Sequence, residues 1–350
     1  MKIVSLFCST HLLSVLSIAL MAPMAQAITP PEPNSQMKSV LDQLGSEGGK
    51  PIETLSATEA RQQPTPADAV KDLLKKNQGK VSPEVVAKVE NRQIDGAEGK
   101  IAARIYTPAG QGPMPVVVYY HGGGFVIATN DTYDATPRAI ANQAKAIVVS
   151  VEYRKAPEHK FPAAHNDAIA AYKWVLSNAA SFNGDPKRIA VAGESAGGNL
   201  ALNVAIAARN QNLALPIYEL LVYPVAGNNM NTPSYQANAN SKPLNKPMMS
   251  WFFKNYLNSP QDAIDPRLNL LQADLHGLKP ATVITAEIDP LQSEGKLLAE
   301  RMKSQGVEVD YKNFDGVTHE FFGMASVLDQ AKAAQRLATS DLRRAFADKA

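Results

Sequence analysis

The sequence predicts an α/β fold, a mostly parallel sheet covered by helices, and three observations predict it. Val116-Val117-Val118-Tyr119-Tyr120, introduced by Pro113 and Pro115, is an unbroken β-branched and aromatic run. Such a run belongs in a strand buried on both faces, as in a parallel sheet between helical layers. From residue 146 the patterns then alternate, with strands at 146–151 and 188–192 and helices at 162–177 and 196–209, which is βαβ connectivity. Finally, the join between the strand at 188–192 and the helix from 196 is one tight turn flanked by glycines, Gly193-Glu194-Ser195-Ala196-Gly197.

A chain of 350 residues that is 45% hydrophobic and 19% charged can bury one large core, so one catalytic domain with additions is expected. Its 35 basic and 33 acidic residues are interspersed, leaving a net charge of +2 and no basic block to track phosphates. Nucleic acid is therefore not an expected partner.

Residues 1–27 read as a removable leader. Lys2 supplies the positive start, residues 12–21 are apolar, and Ala25-Gln26-Ala27 offers the small residues a signal peptidase needs. The rival is a retained membrane anchor, but an apolar stretch broken by Pro23 falls short of the roughly 20 residues that span a bilayer. A periplasmic or secreted protein with no stable membrane insertion after leader removal is expected. Cys8, the single cysteine, lies in this leader, so the mature chain would contain neither a disulfide nor a thiolate nucleophile or metal ligand.

Residues 28–84 are rich in Pro, Gln, Ser and Glu, with helical patterning only at 37–44 and 67–76, and are expected to be a linker and an N-terminal cap element. The catalytic domain is expected over 85–350. Strands at 85–94 and 99–106 precede the 116–120 run, and apolar runs at 218–223 and 281–286 extend the sheet. An Asn, Ser and Pro-rich stretch interrupts the sheet as a cap insertion at about 227–260, ending in a helix at 247–257 with Met248, Met249, Trp251, Phe252, Phe253 and Tyr256.

Gly-x-Ser-x-Gly between a strand and a helix is the setting in which a serine becomes a nucleophile on a sharp turn. Flanking glycines remove the Cβ atoms that would clash there, and the Ala196 amide at the helix N-terminus faces a developing negative charge. A second glycine run, His121-Gly122-Gly123-Gly124-Phe125, follows the 116–120 strand. The amides of Gly122 and Gly123, joined by Ala196, are the expected donors to the oxyanion of a tetrahedral intermediate. A phosphate loop would need a Lys-Ser/Thr sequel or a different glycine spacing. His121 is expected to brace this loop, since it precedes the serine.

With these two motifs the sequence resembles the hormone-sensitive-lipase-like, or bacterial family IV, carboxylesterases of the α/β-hydrolase superfamily. The resemblance covers residues 101–325 and includes Tyr153-Arg154-Lys155-Ala156-Pro157-Glu158, Gly184-Asp185-Pro186 and Asp289-Pro290-Leu291 with Glu294-Gly295. It implies an α/β-hydrolase fold with an eight-stranded, mostly parallel sheet and a helical cap, no cofactor, and hydrolysis of short- to medium-chain esters. Two departures are that Glu194 stands where the family usually has Asp, and that Gln292-Ser293 interrupts the family's Asp-Pro-Leu-Arg-Asp-Glu-Gly pattern.

In this fold the chain order is Ser, then the acid, then His. Asp289, just past the 281–286 strand, is the expected acid, and His319, in the loop after a strand at 307–314, the expected base. Rivals are Glu287 for the acid and His276 for the base; His159 and His165 precede the serine. Gly124, Phe125, Glu194, Trp251 and Phe252 are expected to border the substrate, and Glu320 the pocket. No metal site is expected. The expected partner is a small-molecule ester, with a homodimer left open. An amidase, lactonase or carbohydrate deacetylase would use the same triad, and a non-catalytic binding homologue would lack part of it.

Overall fold

The computed structural model describes residues 30–79 and 81–348, and the expected leader with Cys8 lies outside the described residues. Its strands are β1 (Lys88–Gly96), β2 (Gly99–Thr107), β3 (Met114–Tyr120), β4 (Ile147–Val151), β5 (Gly184–Glu194), β6 (Glu219–Val222), β7 (Ala281–Ile288) and β8 (Val309–Thr318). They form one eight-stranded sheet in the order β1-β2-β4-β3-β5-β6-β7-β8. Only β2 runs antiparallel to its neighbours, β1 and β4; all pairings from β4 to β8 are parallel. The expected α/β-hydrolase sheet is therefore present.

The helices are α1 (Ser35–Ser46), α2 (Ala57–Ala60), α3 (Pro66–Gln78), α4 (Ala135–Ala144), α5 (Ala163–Asn178), α6 (Ala196–Asn210), α7 (Pro233–Ala237), α8 (Lys246–Tyr256), α9 (Gln292–Ser304) and α10 (Asp329–Ala347). The period-two alternation of β3 divides its side chains between two layers. Val116, Val118 and Tyr120 join the layer of α5, α6 and α9, and Val117 and Tyr119 that of α1, α3, α4 and α10. Every residue of β3 is buried, and each such valine contributes about 1.5–3 kcal/mol relative to exposure.

The strand expected at 188–192 starts earlier, at Gly184, because Met114 and Gly184 pair across an irregularity that resumes at Val116 and Ile189. Pro186 falls in that unpaired stretch, where a missing N–H costs no ladder hydrogen bond.

Residues 34–79, within the stretch expected as linker and cap element, carry helices at the two expected places and fold against the body. Asn34 accepts from the Met37 amide to start α1, and its own amide donates to Gly316 O at 2.8 Å. Thr65 and Asp68 make a capping box at the start of α3, with Pro66 in the first turn and Gly79 left-handed at the end. Arg61 is the main tether: Nε donates to Val126 O at 2.9 Å, and the two terminal nitrogens reach both Glu158 oxygens and Ala156 O. Arg61→Ala removes a planar fork that serves two carbonyls and a carboxylate at once. It should destabilise the protein by about 1–3 kcal/mol in urea unfolding, and a change below the scatter of repeated melts would remove the tether's significance.

Candidate active site

Ser195 is the hinge between β5 and α6 and has φ 57° and ψ −119°, a backbone region that a side chain rarely adopts. The turn closes only because its neighbours lack side chains. A Cβ on Gly193 would lie 2.0 Å from Gly197 O, and one on Gly197 would lie 1.9 Å from Tyr120 O. The sheet fixes the turn from the next strand: Ser195 N donates to Val222 O at 2.9 Å, and Ser195 O accepts from Val225 N at 3.1 Å.

Against this turn the structure brings the expected acid and base. His319 Nε2 is 2.9 Å from Ser195 Oγ, and His319 Nδ1 is 2.6 Å from Asp289 Oδ2. Asp289 lies in the loop after β7, and its Oδ1 accepts from Leu291 N at 2.9 Å, which aims Oδ2 at the imidazole. His319 immediately follows β8. Glu287, the rival acid, accepts from Gly316 N at 2.7 Å and does not reach the imidazole. His276 is exposed and pairs with Asp274, His159 is exposed, and His165 lies buried between Tyr256 and Asn199.

Burial alone would push the His319 imidazole down, but Asp289, Glu320 and Glu194 outweigh it and hold its pKa above the ordinary 6.5. Among the described residues, the amides of Gly122, Gly123 and Ala196 have no hydrogen-bond acceptor. The loop that carries the two glycines is pressed onto the serine turn, since a Cβ on Gly122 would lie 3.2 Å from Glu194 O. Gly123 has φ 99° and its carbonyl accepts from Val126 N and Ile127 N, so the loop coils on itself with its amides free. His121 braces it, stacking on Tyr153 with centroids 4.5 Å apart.

The residues expected to border the substrate separate into two groups. Phe252 lies over Gly124, where a Cβ would come 2.2 Å from its ring. Phe125 and Trp251 are engaged in aromatic packing. Phe125 is buried and stacks on Tyr256 with centroids 4.2 Å apart, and Trp251 packs edge-on against Phe252 while Nε1 donates to Leu55 O at 3.0 Å. Glu194 points beneath the serine, where Tyr119 donates to Oε1 at 2.5 Å and Tyr223 donates to Oε2. Burial, reinforced by Glu320, raises its pKa to about 7.

Sequence reasoning passed over Tyr119, Tyr133, Tyr223 and Glu294. Tyr223 packs on the imidazole with centroids 4.4 Å apart. Tyr133 donates to Glu320 Oε1 at 2.5 Å, and Glu294 accepts from Ala226 N and Gly227 N, fixing the loop after β6. Burial raises the Glu294 pKa to about 8. Glu294 stood in the quoted Glu294-Gly295 pair and was the one with a signal. Among the described residues no group of His, Cys, Asp and Glu is arranged to hold a metal ion.

The site can deprotonate a serine hydroxyl and receive negative charge on three amides, which is the requirement of acyl transfer. Comparison with known proteins agrees with this chemistry. Residues 117–323 match the model of a family described as having the alpha/beta hydrolase fold. The chain is 39% identical over 276 residues to the carboxylesterase NlhH of Mycobacterium tuberculosis, covering 76% of this chain and 86% of that one. It is 33% identical over 300 residues to the ethyl acetate hydrolase of Pseudomonas putida, covering 83% and 92%. The hyperthermophilic esterase of the archaeon Pyrobaculum calidifontis superposes with a TM-score of 0.78 at 38% identity, covering 85% of this chain and 95% of that structure.

Gly197→Ala places a methyl group into Tyr120 O and must displace either the turn or β3. Labelling of Ser195 by a fluorophosphonate probe should slow by about 10²-fold, the cost of misplacing a reacting group by about 1 Å. Labelling at the wild-type rate would show that the close approach is not needed.

Proposed function

The chain belongs to the alpha/beta hydrolase family matched over residues 117–323, and from that premise we propose that it is a serine carboxylesterase acting on short- to medium-chain esters. The observation that carries the reading is the continuous chain Asp289–His319–Ser195, with links of 2.6 and 2.9 Å, beside three unpaired amides. His319 Nε2 takes the Ser195 proton as Oγ attacks the ester carbonyl carbon. The carbonyl oxygen becomes an oxyanion held by the amides of Gly122, Gly123 and Ala196, and Asp289 steadies the imidazolium. Collapse breaks the ester C–O bond, and the leaving alcohol takes the proton from His319. Water, deprotonated by the same imidazole, then attacks the acyl-enzyme and releases the acid.

Two features support a small ester. Phe252 on Gly124 crowds the space beside the amide donors, and the curated relatives include an ethyl acetate hydrolase. Export to the periplasm or beyond is supported by the leader pattern of Lys2, the apolar residues 12–21 and Ala25-Gln26-Ala27.

Purified protein should hydrolyse p-nitrophenyl acetate and butyrate, and Ser195→Ala or His319→Ala should each lower kcat/KM by about 10⁴- to 10⁶-fold with the circular dichroism spectrum unchanged. A folded Ser195→Ala protein that kept its rate would sink the mechanism. Protein recovered from a periplasmic extract should begin at Ile28 on N-terminal sequencing; recovery of Met1 in a cytosolic fraction would reverse the export reading.

A further inference from the structure

His165 stands outside the triad, yet both ring nitrogens of this buried imidazole are bonded, and each bond leads to a part of the site. It lies in the first turn of α5, with Nε2 2.8 Å from Asn199 Oδ1 and Nδ1 2.7 Å from the Tyr256 hydroxyl. Its protonation follows from these neighbours. Asn199 Nδ2 donates to Val225 O and to Arg267 O, both at 3.0 Å, so the amide oxygen faces the imidazole and Nε2 carries the proton that it accepts. Nδ1 is then an acceptor, filled by the Tyr256 hydroxyl. Burial, with the Arg267 charge nearby, pushes the His165 pKa down to about 4, so the imidazole stays neutral where the His319 base works.

The Asn199 bond leads to the nucleophile. Asn199 is one turn past Ser195 in α6, and its backbone amide donates to Ser195 O at 3.1 Å. Its side chain holds the carbonyl of Val225, whose own amide donates to the same serine oxygen at 3.1 Å. His165 thus orients the side chain that closes a ring around the serine turn. The Tyr256 bond leads to the amide donors. Tyr256 ends α8 and stacks on Phe125, the residue directly after the three glycines, with centroids 4.2 Å apart. One turn earlier on α8, Phe252 covers Gly124.

Resting on the esterase reading above, we propose that His165 is a positioning residue for acyl transfer: its two bonds fix the serine turn and the glycine loop relative to each other, so that the amides of Gly122 and Gly123 meet the oxyanion that forms at Ser195. An apolar ring at the same place would fill the volume and leave the two segments free to slide, because a hydrogen bond fixes direction as well as distance. The requirement is strict. Donors serve an oxyanion only within about 2.7–3.1 Å of where its charge develops, so a small slip of the loop weakens the transition state and leaves substrate binding in the ground state largely intact.

The test compares His165→Phe, which keeps a ring and removes both bonds, His165→Gln, whose amide offers one donor and one acceptor, and Tyr256→Phe, which removes only the hydroxyl. Active sites are counted by titration to completion with a fluorophosphonate, and kcat for p-nitrophenyl butyrate is expressed per titrated site, with thermal melting recorded alongside. His165→Phe and Tyr256→Phe should each lower kcat per site by about tenfold or more, with KM changed by less than about threefold. His165→Gln should restore kcat to within about threefold of wild type, and adding Tyr256→Phe to His165→Phe should cost nothing further, since both act through one chain of bonds. A residue that only holds the fold together would lower the melting temperature and the number of titrated sites and leave kcat per site unchanged. That result in both phenylalanine variants overturns the proposal while leaving the esterase standing, and if His165→Phe does not fold, Tyr256→Phe decides by the same criterion. If wild-type protein turned over no ester, the esterase reading itself would fall, and this one with it.

Discussion

The close approach of β5, β3 and the first turn of α6 at Ser195 is the constraint on which the site depends. Three main-chain segments meet with oxygen atoms where side chains would stand, and the Cβ positions of Gly193 and Gly197 are both filled by carbonyl groups. One bend therefore supplies the exposed hydroxyl, the Ala196 amide and the surface against which the Gly122-Gly123 loop rests. The strained serine backbone, of order 1–3 kcal/mol for such a conformation, is retained because its amide and carbonyl are bonded into the end of β6 and the loop that follows it. A central strand of a parallel sheet is the stiffest place the fold has for holding that strain.

Electrostatics at the site follow from how many carboxyls are buried around a single imidazole. Asp289 bonds it directly, and Glu194 and Glu320 raise its proton affinity from below and beside it. Glu194 and Glu294, with pKa values raised to about 7 and about 8, favour the protonated form more in the folded chain than in the unfolded one. Their stabilisation is thus fully present below the unfolded value of about 4.5 and declines as pH rises through 7 to 8. The imidazole's pKa is raised as well, so its contribution runs in the same direction, present below about 6.5 and lost above the folded value. The esterase needs the neutral imidazole as base, so catalysis is favoured on the side of the titration where this group of buried acids stabilises the fold least.

Much of this was legible in the sequence where a local pattern has one physical solution. The run at 116–120 could only be a doubly buried strand, and glycines flanking Ser195 could only serve a turn that excludes Cβ atoms. Asp289 and His319 were readable through chain order and through the family resemblance, though spacing alone left Glu287 as a rival until Gly316 N was seen to occupy it. What stayed hidden are pairings between distant residues. Tyr133 and Glu320 are 187 positions apart and meet only because α4 and the turn after β8 share one layer. The stacking of Phe125 on Tyr256, 131 positions away, and the bond from the Trp251 indole to Leu55 O were equally out of reach of any local pattern. The extent to which the N-terminal region docks stayed hidden because, beside Met37, Val40, Ala69 and Val70 in the core, its ties through Asn34, Arg61 and Leu55 include hydrogen bonds to main-chain oxygens that no local pattern announces.

Those ties join the N-terminal region to the catalytic loops at several points. Asn34 holds Gly316, three residues before His319; Arg61 holds Val126 O, within the glycine loop's own coil, and Ala156 O, whose amide in turn bonds Phe125 O. Leu55 receives the Trp251 indole from the inserted helix, whose Phe252 covers Gly124. The segment from 34 to 61 thereby touches the strand that leads to the base, the loop of the amide donors and the inserted helix, each through at least one main-chain oxygen. Because hydrogen bonds to carbonyl groups fix distance and direction together, a shift of the cap must move the amide donors relative to the serine turn, while a purely apolar contact would let the two slide. The cap in this protein positions catalytic main chain as well as enclosing the volume above it.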